Sequence, residues 1–245
     1  MSDDRAVDSS ESSLLAHLEA LRRVLLRILA GTAILYPFAY LAAPRLIRLM
    51  VGWSFPDGGG ALYYFEPMEV FLIQLKLAFA VSLAAAFPWN MAQIWGFLVP
   101  ALYPGERRAL GWWIVFSSIL FFAGVVFCAL FVLPLLMRFS MSFSSASVRP
   151  MLGLGAFLGL AGWLSLSFGV VFQAPLAVML AVRFHVVRAA TLARSRPYVM
   201  VAILVIAAIL TPPDVVSQLL LAVPTWLLFE VGLFFATRIE RNNTP

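Results

Sequence analysis

Charge, lysine, histidine and cysteine are all scarce in this chain. Asp, Glu, Lys and Arg make up 12% of its 245 residues, Lys76 is the only lysine, Cys128 the only cysteine, and His17 and His185 the only histidines. A single cysteine excludes an internal disulfide, and its place in an apolar run makes it a packed small residue. Two distant histidines and no His-Glu-x-x-His leave no support for a zinc hydrolase. No glycine-rich loop ends in Gly-Lys-Ser/Thr to hold a nucleotide, and no Gly-x-Ser-x-Gly elbow presents a nucleophilic serine. No catalytic group, metal or cofactor is therefore expected, and any transport must draw on an ion gradient, a partner or the cargo itself. A basic, apolar secretory leader is missing too: Met1–Ser13 is polar and acidic, which reads as a tail.

Apolar sequence is what the chain has in excess. Hydrophobic residues are 62% of it and the mean hydropathy is +0.95, against about 45–50% apolar residues in a soluble domain. The apolar runs are long rather than alternating over about ten residues, so the expectation is an all-α polytopic membrane protein and not a barrel. About 20 residues cross a hydrocarbon core of about 30 Å. Six spans are predicted, at Val24–Ala43, Val70–Val99, Leu110–Met137, Phe157–Val182, Tyr198–Leu210 and Val215–Ala236. The last two are read as short. Thr211-Pro212-Pro213-Asp214 turns the chain between them, so the fifth span implies thinned lipid or a turn sunk below the membrane surface. Residues 1–23 then form a tail and amphipathic helix, 24–237 the membrane domain and 238–245 a second tail.

The net charge of +5 does not point to nucleic acid, because no soluble basic domain exists to hold it. It points to orientation. Twelve arginines fall in the two tails, at Arg27 in the start of the first span, and in loops 100–109 and 183–197, against Arg45, Arg48, Arg138 and Arg149 on the other side. Both termini are expected on the cytoplasmic side.

Polar groups within or beside spans are expensive and often functional. Glu69 and Lys76 lie seven apart on one helical face, where each is a partner for the other. Gln173 sits mid-span before Pro175 with no obvious local partner. Asp214 is placed to cap the sixth helix, with Gln218 one turn on and Glu230 near the far end. Before the first span, Leu14, Leu18, Leu21 and Leu25 make an apolar stripe. Glu19 can pair with Arg23 at i, i+4. Between the second and third spans, Pro100-Ala-Leu-Tyr-Pro-Gly-Glu-Arg-Arg108 is a tight charged hairpin whose one carboxylate is Glu106.

Taken in order, His17-Leu18-Glu19-Ala20-Leu21-Arg22, Gln93-x-Trp95, Pro100-Ala-Leu-Tyr103 with Glu106-Arg107, Phe168-Gly-x-x-Phe172-Gln173-x-Pro175, Leu210-Thr-Pro-Pro-Asp214-x-x-Ser217-Gln218 and Pro224-x-Trp-Leu-Leu-Phe-Glu230 resemble the C-subunit family of the twin-arginine translocase. The resemblance implies a concave six-helix bundle in the cytoplasmic membrane. It implies a receptor for signal peptides with paired arginines on folded cargo, recruitment of TatA- and TatB-type single-span subunits and further copies of itself, and transport driven by the proton-motive force. Carried onto this chain, the signal-binding residues are Glu106, Glu19, Arg22, Phe97 and Leu18, and the polar partner or concave-face residues are Gln173, Gln218, Asp214 and Glu230. The family pattern His-Leu-x-Glu-Leu-Arg-x-Arg is broken here by Ala20 and Val24, which leaves Glu19 as the carboxylate of that segment. A small-molecule secondary transporter is the alternative, although no internal repeat supports it. An intramembrane enzyme using Asp214 or Glu230 lacks a catalytic pair.

Overall fold

The computed structural model describes residues 3–55, 62–98, 107–144, 151–184, 186–211 and 214–243, with the side chains of 3–16, 98, 107–110, 242 and 243 left aside. Glu106 lies outside the described residues, as do His185 and Pro212-Pro213. The helices are α1 (Asp3–Ser54), α2 (Glu69–Ala85), α3 (Phe87–Leu98), α4 (Arg107–Phe127), α5 (Leu133–Ser142), α6 (Leu154–Val171), α7 (Ala174–Arg183), α8 (Ala189–Arg194), α9 (Arg196–Leu210) and α10 (Val215–Asn243). A five-residue π-helical segment, Cys128–Val132, joins α4 to α5 without a break.

All six expected spans are helical, and their ends differ from the sequence reading in instructive ways. α1 does not stop at Ala43. It runs through Pro37 and Pro44 to Ser54, because Ile47, Met50 and Val51 find a surface on the central core; proline inside a membrane helix is tolerated when neighbours compensate for the lost hydrogen bond. Arg45 and Arg48 therefore sit on a helix rather than in a loop. The second span is a bent pair, α2 and α3, meeting at 52°. Pro88 occupies the second position of α3, where its missing N–H leaves nothing unpaired, and Ala86 closes α2 by donating to the Ser82 carbonyl at 2.9 Å. The same device separates α6 from α7, with Pro175 in the first turn of α7.

Of the two helices expected to be short, only one is. α9 has 15 residues, about 22 Å at 1.5 Å per residue, less than a hydrocarbon core. α10 has 29 and continues past Ala236 through Arg238 and Glu240, so the C-terminal tail is largely helix. Its start is sunk: Trp163, nine residues into α6, donates its indole N–H to the Leu210 carbonyl at 2.8 Å. The C-terminal end of α9 thus lies about 13 Å below the start of α6.

The core is built from α5, the π segment, α6 and α10, with Leu133, Leu164, Phe168 and Leu221 all essentially inaccessible and Cys128 packed among them. α4 and α6 approach closely where a Cβ on Gly124 would meet the Phe168 carbonyl oxygen. A smaller cluster at the other end joins Val182 and Ala189 to Phe229, Leu233 and Ala236. α1 is mostly outward-facing, and Ile34, Phe38 and Leu41 are 67–76% exposed, which in water would be untenable and in lipid is ordinary.

At the end where α2 and α6 begin, β1 (Leu62–Tyr63) pairs in parallel with β2 (Leu152–Gly153). Glu69 locks this end. Its Oε2 accepts the Phe65 and Glu66 N–H groups at 2.7 and 3.4 Å, and its Oε1 accepts the Gly155 N–H at 3.0 Å. The expected Glu69–Lys76 partnership is not what satisfies the carboxylate; main-chain donors do.

Candidate functional site

At the opposite end, the N-terminal stretch of α1 lies along α3. Trp89 donates its indole N–H to the Arg27 carbonyl at 3.2 Å, and a Cβ on Gly31 would stand 2.6 Å from the Trp89 ring, so this contact depends on glycine. About three turns toward the N-terminus of α1, His17 meets Phe97 edge-on with ring centroids 5.8 Å apart. Between these contacts is a cleft of about 300 Å³ lined by Ala20, Arg23, Val24, Arg27, Gln93, Gly96 and Phe97. It lies at the C-terminal end of α3, eight residues before Glu106 in sequence.

The electrostatics of the cleft are one-sided. Arg23 and Arg27 line it, and no carboxylate does among the described residues. Arg27 donates to the Gln93 side-chain oxygen at 3.4 Å, and Arg23 donates to the main-chain carbonyl of Glu19 at 3.3 Å. Arg23 thus contacts the Glu19 backbone, where the sequence pattern suggested an i, i+4 contact to its carboxylate. Glu19, Leu18 and Arg22 are exposed on the helix surface. Ala20 faces the cleft, and Glu19 is displaced from it by about 100° around α1. With alanine at position 20, α1 brings no carboxylate to the described lining of the cleft. Arg27, Gln93 and Trp89 were not singled out from sequence as cleft residues; the signals were Arg27 at i+4 from Arg23 and one amide in an apolar run.

The residues grouped from sequence as a polar partner face are not one cluster. Gln173 is held at the α6–α7 break by Ser117 of α4: the serine hydroxyl donates to its Oε1 at 2.6 Å, and its Nε2 donates to the Ser117 and Gly169 carbonyls at 3.1 and 3.4 Å. A partner missing from the local sequence is supplied across the bundle. Asp214 caps α10 as expected, accepting the Ser217 N–H at 2.7 Å. Glu230 takes a bidentate pair from Arg196 at 2.7 and 2.8 Å, joining the start of α9 to α10 near the surface. Gln218 donates to the Leu204 carbonyl at 3.0 Å, so its amide ties α10 to α9 within the chain. Gln218→Leu is therefore expected to loosen the α9–α10 hairpin by about 1 kcal/mol, the usual range for a polar bond between membrane helices; the unfolding midpoint in detergent measures it.

These features define a polytopic helical membrane protein with a polar cleft at the end where α1 enters the bilayer. Residues 16–224 match the family model "Sec-independent protein translocase protein (TatC)". The chain is 36% identical over 243 residues to the Sec-independent protein translocase protein TatC of Azotobacter chroococcum, covering 98% of this chain and 95% of that one. It is 35% identical to that of Escherichia coli K12 over 226 residues, 91% and 87% of the two chains. Two crystal structures titled as the twin-arginine translocase receptor TatC superpose with TM-scores of 0.82 and 0.83 at 29% identity, covering 90% and 91% of this chain and 99% of each of those. The chain belongs to the TatC family and is a subunit of the Sec-independent, twin-arginine protein translocase. The small-molecule transporter alternative falls with that assignment.

Proposed function

We propose that the α1–α3 cleft, completed by Glu106, is where paired-arginine signal peptides of folded cargo dock. The observation that carries this reading is the packing of His17–Arg27 along Trp89–Phe97, which presents an apolar and amide surface at the C-terminal end of α3, eight residues before Glu106 in sequence. Two adjacent guanidiniums require carboxylates with forked geometry. Arg23 and Arg27 repel them from the inner cleft, so the leader's arginines sit at the rim on Glu106 and Glu19, and its apolar part lies on Phe97 and Leu18. Arg22 borders that rim on the exposed face of α1. Residues 24–237 form the membrane domain in a cytoplasmic membrane, with 1–23, 238–245 and the Glu106 loop on the cytoplasmic face in keeping with the arginine bias. The chain performs no catalysis. It assembles with TatA- and TatB-type single-span subunits and with other copies of itself, and the proton-motive force drives passage. Of the polar groups assigned to partner contact, Asp214, Gln218, Glu230 and Gln173 retain that role only through atoms not engaged within the chain.

The direct test is photo-crosslinking from position 96, where an added side chain meets open space, in native membranes. A paired-arginine leader is expected to crosslink and a paired-lysine leader is not; equal crosslinking of both removes the cleft from the receptor site. A gain-of-function variant tests the same geometry from the other side. Ala20→Glu returns a carboxylate to the cleft and is expected to tighten leader binding by roughly fivefold, the upper end for a partly exposed ion pair. A titration with labelled leader reads the change.

A further inference from the structure

A groove of about 760 Å³ runs between α2 and α6, which start at the same end and descend side by side from the Glu69–Gly155 tie. Its floor includes Gly159 and Gly162, where an added Cβ would meet nothing within 4 Å, so the open space reaches the α6 backbone. Lys76, the only lysine of the chain, lines this groove about 10 Å below Glu69. No hydrogen bond or ion pair to it is found among the described residues, and Glu69 is already engaged by three main-chain donors. An ammonium at this depth in a bilayer is unfavourable unless it meets an anion or reaches back toward the surface on its four-carbon stem.

The charges along the groove have an order. Exposed Glu66 lies at the mouth with Glu69, whose carboxylate is taken up by main-chain N–H groups, then Lys76 below them, and Phe79, Ala80, Leu83 and Leu166 further down. We infer that the groove binds one zwitterionic phospholipid bearing a primary ammonium, of the phosphatidylethanolamine class. The headgroup ammonium faces Glu66, the phosphate accepts from Lys76, and an acyl chain lies on the apolar wall over Gly159 and Gly162. A carboxylate on a docked helix would satisfy Lys76 but would leave Glu66 without a counterpart, so the order of charges favours the lipid.

Native mass spectrometry of the full chain in detergent, with added phosphatidylethanolamine, phosphatidylglycerol or diacylglycerol, tests this. The wild type is expected to retain one phosphatidylethanolamine and to discriminate against diacylglycerol, which has no phosphate. Lys76→Met is expected to lower retention about tenfold or more, the scale of one charge-assisted hydrogen bond, and Lys76→Arg to keep it. Glu66→Gln should erase the preference over phosphatidylglycerol, and Gly159→Leu should block binding by filling the groove. Intact thermal unfolding of Lys76→Arg and Glu66→Gln separates lost binding from lost folding. Equal retention of diacylglycerol, unchanged retention by Lys76→Met, or photo-crosslinking from position 159 to a protein helix instead of lipid overturns the proposal.

Discussion

Glu106→Gln is expected to abolish measurable binding of a paired-arginine signal peptide while the protein still inserts and folds. Glutamine is nearly isosteric with glutamate, so the substitution changes little in size. What changes is the charge, and one acceptor oxygen becomes an NH₂ donor facing guanidinium donors. The rest of the cleft cannot compensate. Its described lining holds two arginines, an amide and apolar groups, and Glu19 lies outside the lining on the exposed face of α1. Hydrogen bonds to charged groups contribute about 1.5–3 kcal/mol each, so losing a forked pair weakens binding by roughly a hundredfold or more. The measurement is a titration of purified chain with labelled leader, run as a double-mutant cycle with an Arg-to-Lys change in the leader. Strong non-additivity is expected, because each change removes the same contact. Undiminished binding by Glu106→Gln would place the leader elsewhere.

The membrane bundle was legible because hydropathy alone specifies which segments must leave water. That the fifth span is too short to cross upright was legible as well, although thinned lipid and a sunken end fitted it equally, and the Trp163–Leu210 hydrogen bond shows the depth at which α9 ends. What failed to show was set by contacts distant in sequence. α1 continues past Pro44 because a packing surface from α5 and the π segment waits there, and no local signal announces it. Glu69 looked like a partner for Lys76 at helical spacing, yet it is claimed by the N–H of Gly155, 86 residues away. Gln173 looked orphaned until Ser117, 56 residues earlier, supplied both a donor and an acceptor. The cleft was half legible. The α1 pattern was visible, but which face of α3 meets it depends on the 52° bend at Ala86, and that bend decides that Trp89 and Gln93 face Arg27.

A large effect on stability is expected at Gly232. A Cβ there would stand 2.6 Å from the Pro175 Cα, 3.0 Å from its carbonyl oxygen and 3.2 Å from the Val178 Cβ. Two of these neighbours are backbone, so no rotamer change relieves the clash, and α7 must move away from α10. In a bilayer, helix association rests on close van der Waals contact rather than on expelling water, so separation is felt directly. Gly232→Ala is expected to destabilise by about 1–3 kcal/mol, and Gly232→Leu by more. The loss extends along the interface, because Phe229 and Leu233 pack on Val182 and Ala189, and Arg196 reaches Glu230 two residues away. Gly111→Ala is the control: nothing lies within 4 Å of its added Cβ, and alanine in a helix interior is favoured over glycine. Unfolding midpoints in one detergent should fall for Gly232→Ala and hold or rise for Gly111→Ala. Equal midpoints would mean that α7 and α10 stand further apart than this packing requires, and that Arg196 and Glu230 hold the hairpin without it.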